Sequence, residues 1–263
     1  MGILNCTPDS FYDGGRYADP DAAVERGLAM VDEGAAILDI GGESTRPGAG
    51  PVPADEETAR VVPVIEGLRG RTEVPISIDT RTTAVAEAAL CAGADIVNDV
   101  SALRDAGMAG LLARTGAGVV LMHMRGTPGT MQQDPVYDDV VGEVRDYLRE
   151  RASAAEAAGV PRERILLDPG FGFGKTLAHN AALLEGLGAL AELGYPVLVG
   201  LSRKSMMQTA LDLPKEERLE AGLACAVMAV ERGAAVVRTH DVRATVRAVG
   251  MAWAVLTRSG RAA

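Results

Sequence analysis

Residues Val74–Val100, VPISIDTRTTAVAEAALCAGADIVNDV, hold the unit on which the reading of the whole chain turns. Val74–Asp79 is an apolar run of strand length. Thr83–Ala92 is an alanine-rich stretch of helix length, and Asp95–Asp99 is a second apolar run. Gly93 lies between helix and strand, where a left-handed C-terminal cap favours glycine. Neither run alternates polar with apolar, so each reads as a parallel strand buried on both faces. Both finish on polar groups, Asp79 in one case and Asn98–Asp99 in the other.

The same unit recurs in both directions. Strands are expected at Gly2–Asn5, Ala36–Ile40, Gly118–Met122, Arg164–Asp168, Val197–Leu201 and Ala235–Thr239, with helices such as Asp21–Glu33 and Val140–Ala158 between them. Gly34, Gly159, Gly194 and Gly233 stand where those helices should stop. Eight strands alternating with helices close into a barrel or open into a doubly wound sheet. Polar residues stand at or just past nearly every strand end: Asn5, Asp39, Asp79, Asn98, His123, Asp168, Ser202 and His240. A closed barrel gathers them on one rim, where barrel enzymes keep their active sites. The expectation is a (β/α)₈ TIM barrel formed by one domain over residues 1–263.

Composition narrows the function classes. Aromatics are only 3% of the chain, so aliphatic side chains must fill the core. No run approaches the roughly 20 apolar residues of a membrane helix, and no basic, apolar leader opens the sequence. Cytoplasmic residence is expected. Cys6, Cys91 and Cys225 are odd in number and form no CxxC pair, so they read as reduced thiols. A net charge of −10 argues against nucleic acid or an anionic membrane as partner, and leaves small-molecule substrates.

Two constellations carry chemistry. Asp79, Asn98 and Asp168 end buried strands and need donors there; together they suit an amino-pyrimidinone ring. Arg46, Ser202-Arg203-Lys204 and Arg238-Thr239-His240 follow strands two, seven and eight. Cations on those loops suit phosphate oxygens. The glycine- and proline-bearing stretches Asn5–Gly15 and Gly41–Gly50 read as lids. Gly170–Thr176 imitates a P-loop but carries Pro169 where the pattern requires glycine, so it reads as a strand-to-helix turn with Phe173 lining the pocket. His123, His179 and His240 lack metal-ligand spacing, and His179 suits a helix start.

The motifs Asn5-x-Thr7-Pro8-Asp9-Ser10-Phe11, Gly42-Glu43-Ser44-Thr45-Arg46-Pro47-Gly48, Ile78-Asp79-Thr80, Asn98-Asp99-Val100-Ser101, His123-Met124-Arg125-Gly126-Thr127-Pro128, Asp168–Lys175, Ser202-Arg203-Lys204-Ser205 and Arg238-Thr239-His240-Asp241-Val242 resemble the dihydropteroate synthase family in content and order. The resemblance implies joining of a pterin diphosphate to p-aminobenzoate with release of pyrophosphate. It gives Asp79, Asn98, Asp168 and Lys204 to the pterin, with Met122 and Gly200 lining its slot. It gives Asn5 to a Mg²⁺ ion, and Thr45, Arg46, Arg238 and His240 to the diphosphate. Thr45, Phe173, Ser202 and Lys204 would border the p-aminobenzoate site, where sulfonamides compete in this family. Asp79, Asp168, Lys204, Arg238 and His240 are the implied catalytic set. A homodimer is implied, through late helices such as that containing Trp253. A pterin barrel of the folate-dependent methyltransferase type would share the pocket but needs no diphosphate clamp. Two departures stand out: relatives usually carry residues ahead of the first strand, and Glu220–Ala224 lacks the hydroxyl-bearing residue expected there.

Overall fold

Eight strands follow one another in parallel: β1 (Gly2–Asn5), β2 (Leu38–Gly41), β3 (Ile76–Asp79), β4 (Ile96–Asp99), β5 (Gly118–Met122), β6 (Ile165–Asp168), β7 (Val197–Gly200) and β8 (Ala234–Arg238). They are neighbours in sequence order. A parallel bridge between Gly2 and Thr239 returns the sheet to its start. Ile3 donates to the Thr239 carbonyl at 2.9 Å and Thr239 donates to the Met1 carbonyl at 2.9 Å. The expected eight-fold barrel is therefore closed. The computed structural model describes residues 1–7, 19–44, 50, 52–127 and 129–258.

Among the described residues, ten α-helices surround the barrel: α1 (Pro20–Asp32), α2 (Ala54–Arg69), α3 (Thr83–Cys91), α4 (Met108–Thr115), α5 (Val140–Ala157), α6 (Leu177–Glu185), α7 (Gly188–Ala191), α8 (Ser205–Leu211), α9 (Leu219–Glu231) and α10 (Val242–Arg258). Local chemistry sets their ends. Asp19 caps α1 by accepting from the Asp21 amide, and Pro20 takes the first helical position, where no N–H is needed. Gly34, Gly93, Gly159, Gly194 and Gly233 all have positive φ, as their place in the sequence predicts.

Strand limits differ slightly from the sequence expectation, for identifiable reasons. β3 begins at Ile76 because Pro75 has no N–H and only accepts, from Leu38 at 3.0 Å. β2 runs on to Gly41, which pairs with both Asn5 and Asp79. The core is aliphatic, as the low aromatic content requires. Leu4, Leu38, Ile40, Ile76, Ile78 and Leu121 are buried, and Phe171 is the one aromatic among the largest fully buried side chains.

Candidate active site

Sheet register assembles the first part of the site. Asn5 pairs with Gly41, Gly41 with Asp79, and Asp79 with Asn98, so three functional side chains from β1, β3 and β4 share one level at the strand ends. Met122 pairs with Asp168, and Gly200 pairs with Arg238. A parallel ladder fixes such neighbours without any help from the loops. Asn5, Asp79, Asn98, Met122, Asp168, Gly200 and Arg238 thus meet at the C-terminal mouth, as expected. Thr45 and Arg46 lie outside the described residues.

Arg238 is the centre of charge. Its Nε donates to Asp39 Oδ2 at 2.5 Å and its Nη2 to Asp79 Oδ2 at 2.6 Å. Asn98 Nδ2 also donates to Asp39 Oδ2, at 3.2 Å. Burial works to lower the Arg238 pKa, but Asp39 and Asp79 overcome it and hold it above the ordinary arginine value. Burial raises Asp79 to about 7, opposed by Arg238 and reinforced by Asp39. The sequence placed Asp39 at a strand end without giving it a task; its signal was a carboxylate inside the apolar run Ile37–Ile40. Asp39 Oδ1, Asp79 Oδ1 and Asn98 Oδ1 are buried and have no hydrogen-bond partner among the described residues. Each is an acceptor, and an unpaired buried acceptor costs about 1–3 kcal/mol. A ring edge presenting N–H and amino donors would satisfy them.

The opposite side of the mouth rides on loops. Asp168 Oδ1 accepts from the Gly170 amide at 2.7 Å, and burial raises its pKa. Lys204, just past β7, sets its ammonium 4.2 Å from the centre of the Phe173 ring. Burial lowers Lys204 to about 8, with Asp168 opposing. Phe173 also packs on an apolar cluster of Val100, Met122, Met124 and Met131.

Ser202 and His240 form a pair. Ser202 Oγ lies 3.0 Å from His240 Nδ1 and accepts from the His240 amide at 3.2 Å. With the hydroxyl proton directed to Nδ1, the ring proton falls on Nε2, a neutral donor. Burial, then Arg238, lowers the His240 pKa to about 4, consistent with that neutral ring.

One grouping from the sequence fails. Arg203 does not join Lys204 at the mouth as a free cation: it forms a two-point ion pair with Asp241 at 2.6 and 3.0 Å. Its φ of +57° turns it away from its neighbour's direction. The P-loop imitation is the turn expected of it, with Gly170, Gly172 and Gly174 at positive φ. His179 closes a capping box with Thr176 at the start of α6.

Sequence reading missed Glu57. It is 1% exposed on α2, and a Cβ on Gly42 would lie 2.9 Å from its Cγ. Only glycine lets the chain leaving β2 pass this close. Neither Glu57 carboxylate oxygen has a hydrogen-bond partner among the described residues. Burial pushes its pKa to about 7 against the nearby Thr80 hydroxyl.

A family profile described as pterin binding enzyme matches residues 1–240. The chain is 48% identical to dihydropteroate synthase of Escherichia coli strain K12 over 257 residues, which cover 98% of this chain and 91% of the relative. The chain belongs to the dihydropteroate synthase family of pterin-binding enzymes. A crystal structure of the Yersinia pestis dihydropteroate synthase with a sulfonamide drug complex is 46% identical with a TM-score of 0.93, covering 98% of this chain and 94% of that one. The Xanthomonas albilineans dihydropteroate synthase in complex with 7,8-dihydropteroate is 47% identical with a TM-score of 0.87, covering 97% and 92%. Dihydropteroate synthases of this fold therefore match the present barrel over nearly their whole length.

Proposed function

We propose that this mouth joins 6-hydroxymethyl-7,8-dihydropterin diphosphate to p-aminobenzoate, giving 7,8-dihydropteroate and pyrophosphate, a transferase reaction of folate biosynthesis. The observation that carries it is the row of unpaired acceptors, Asp39 Oδ1, Asp79 Oδ1 and Asn98 Oδ1, beside Arg238 and within the electrostatic reach of Lys204. The acceptors take the donor edge of the pterin. Met122 and Gly200 line its slot, and Asp168 closes the far side.

An aryl amine is a weak nucleophile, so the pterin-methyl carbon–oxygen bond must loosen first. Its electron pair leaves with pyrophosphate, and the proton that the amine nitrogen gives up as the carbon–nitrogen bond forms is accounted for on the departing pyrophosphate. Asp79 and Asp168 stabilise the positive charge that develops on the pterin-methyl group. Arg46, Thr45, Arg238 and the His240 Nε2 proton receive the negative charge on the diphosphate. Phe173, Ser202, Lys204 and Thr45 border p-aminobenzoate, and sulfonamides compete there.

Asn5 offers a carboxamide oxygen at the mouth, the hard donor Mg²⁺ prefers. No group of three His, Cys, Asp or Glu capable of holding a metal occurs among the described residues. This suits an ion that takes most of its oxygens from diphosphate and water. Mg²⁺ held there would neutralise the leaving group. In calorimetry, Asn5→Ala should erase the Mg²⁺ dependence of pyrophosphate binding; an unchanged dependence removes Asn5 from the ligand set.

The molecule works as a homodimer in this reading. Val246, Met251, Trp253 and Val255 on α10 and Met228 on α9 leave large apolar surface exposed. A monomeric mass by light scattering would refute it. Three free cysteines suit a reducing cytoplasm, and export of the protein to an oxidising compartment in a fractionation experiment would contradict that placement. Incubation with the pterin diphosphate, p-aminobenzoate and Mg²⁺ should yield 7,8-dihydropteroate. Product no higher than background would defeat the assignment.

A further inference from the structure

We propose that Lys175 is a positioning residue: it pins the loop after β6 onto the loop after β5 and so fixes Phe173 at the p-aminobenzoate side of the mouth. This rests on the reading that Phe173 borders that substrate.

Lys175 is 4% exposed, yet no carboxylate pairs with it among the described residues. Its ammonium meets His123 Nδ1 at 2.9 Å, the Gly170 carbonyl at 3.0 Å and the Phe173 carbonyl at 3.0 Å. An ammonium has three protons, and these are three acceptors. The His123 carbonyl lies farther off, at 3.4 Å. Two of the three bonds bracket the turn that ends in Phe173, and the third crosses to the β5 loop.

The turn itself contributes one bond, from the Phe173 amide to the Gly170 carbonyl at 3.1 Å, and Asp168 and Asn180 accept from the Gly170 and Gly172 amides at 2.7 and 2.8 Å. Gly170, Gly172 and Gly174 give it no side chains at alternate positions, and their φ values of +68°, +79° and +65° are a backbone that other residues resist. Its order comes from neighbours. Gln132 Nε2 donates to the Gly172 carbonyl at 2.6 Å, and the Tyr137 hydroxyl donates to the Gly174 carbonyl at 2.8 Å. The loops touch without slack, since a Cβ on Gly170 would fall 2.0 Å from the His123 carbonyl oxygen. Phe173 then meets the β5-side cluster through its ring, opposite the Lys204 ammonium.

Energetics favour a positioning role over a stabilising one. Burying a cation without a carboxylate costs several kcal/mol that its hydrogen bonds only partly return. Burial lowers the Lys175 pKa to about 7, and Asp168 opposes the shift. An apolar side chain would fill the space at less cost but could not direct three bonds to two loops. The Lys175 ammonium forms its hydrogen bonds with the two loops and none with Asp168 or Lys204, whose charges it only senses, so its structural influence on the reaction passes through the Phe173 turn.

Steady-state kinetics on the full chain test this. Lys175→Met should raise KM for p-aminobenzoate about tenfold while KM for the pterin diphosphate changes less than about threefold. Lys175→Arg, which keeps donors and charge, should recover part of the loss. In a double-mutant cycle, Lys175→Met should add little to Phe173→Ala, because both act on one ring. Equal effects on both substrates, or full additivity with Phe173→Ala, would overturn the proposal. If Lys175→Met does not fold, Tyr137→Phe severs a neighbouring tie from a half-buried position. It must raise the p-aminobenzoate KM selectively, and no change overturns the proposal too. Phe173→Ala alone separates the two claims. If it leaves the p-aminobenzoate KM unchanged, the substrate assignment of Phe173 has failed. If it raises that KM and Lys175→Met does not, the positioning claim has failed.

Discussion

On the β2–β4 side of the mouth the functional groups are strand residues, whereas on the β6–β7 side all but Asp168, the last residue of β6, ride on loops beyond the strand ends. Asp39, Asp79 and Asn98 belong to the ladder, and their spacing follows from its register. Phe173, Ser202 and Lys204 have no ladder beneath them. Directed contacts set their places: Lys175 to the Phe173 carbonyl, Ser202 to His240, and the Lys204 ammonium over the Phe173 ring. The difference suits the two substrates. A rigid pterin edge needs acceptors held at fixed intervals, which a sheet supplies. A second substrate that enters beside the first needs a wall that can be tuned, which a loop supplies.

The largest test strikes the strand side. Arg238 compensates two buried carboxylates at once, so Arg238→Ala should cost about 3–5 kcal/mol of stability, the range for leaving a buried charge unpaired. Urea denaturation would measure it. Adding Asp39→Asn to Arg238→Ala removes one of the stranded charges and should restore part of the loss. A single variant as stable as the parent would show that the charges are not held by one another.

The strand half was also the half legible in the sequence. Short apolar runs ending in Asn5, Asp79, Asn98 and Asp168 predicted both the barrel and the convergence at its mouth. Glycines at helix ends gave the chain its punctuation. What stayed hidden were contacts between distant positions. Asp39 and Arg238 are 199 residues apart, and nothing local in either strand announces the pair. Lys175 and His123 are 52 apart, each within a motif that offers no sign of the other. Arg203 misled for the opposite reason. Adjacency to Lys204 suggested a shared task, but a positive φ sends the two side chains to different partners.

A pH profile probes the loop side with a smaller effect. Burial holds Lys204 at about 8, below the ordinary lysine value, with Asp168 opposing. Raising the pH through 8 therefore removes its proton and with it the donor that the proposed reading gives to the substrates. The ratio kcat/KM should fall about tenfold for each further pH unit if the charged form is the active one. Lys204→Arg starts from lower activity but cannot lose its charge in this range, so its decline should move to higher pH. A parent profile flat from pH 7 to 9 would dismiss Lys204 as the titrating group.

The last test is confined to a single group, Glu57, buried beneath the exit of β2 on the strand side. Its folded pKa of about 7 lies above the ordinary glutamate value of 4.5. Between these limits the unfolded chain has released the proton and the folded chain retains it. Folded protein thus binds more protons there, and stability must decline as pH rises from 4.5 to 7, then level off. The decline attributable to this one group is on the order of 3 kcal/mol. Glu57→Gln keeps the shape and has no proton to lose, so that portion of the slope should vanish in urea midpoints taken across the window. Because burial of the charge outweighs the help of the Thr80 hydroxyl, the gain should be largest at pH 8 and absent at pH 4. An identical slope in parent and variant would mean that Glu57 finds a donor when it ionises, and that the strand side is better solvated than its burial implies.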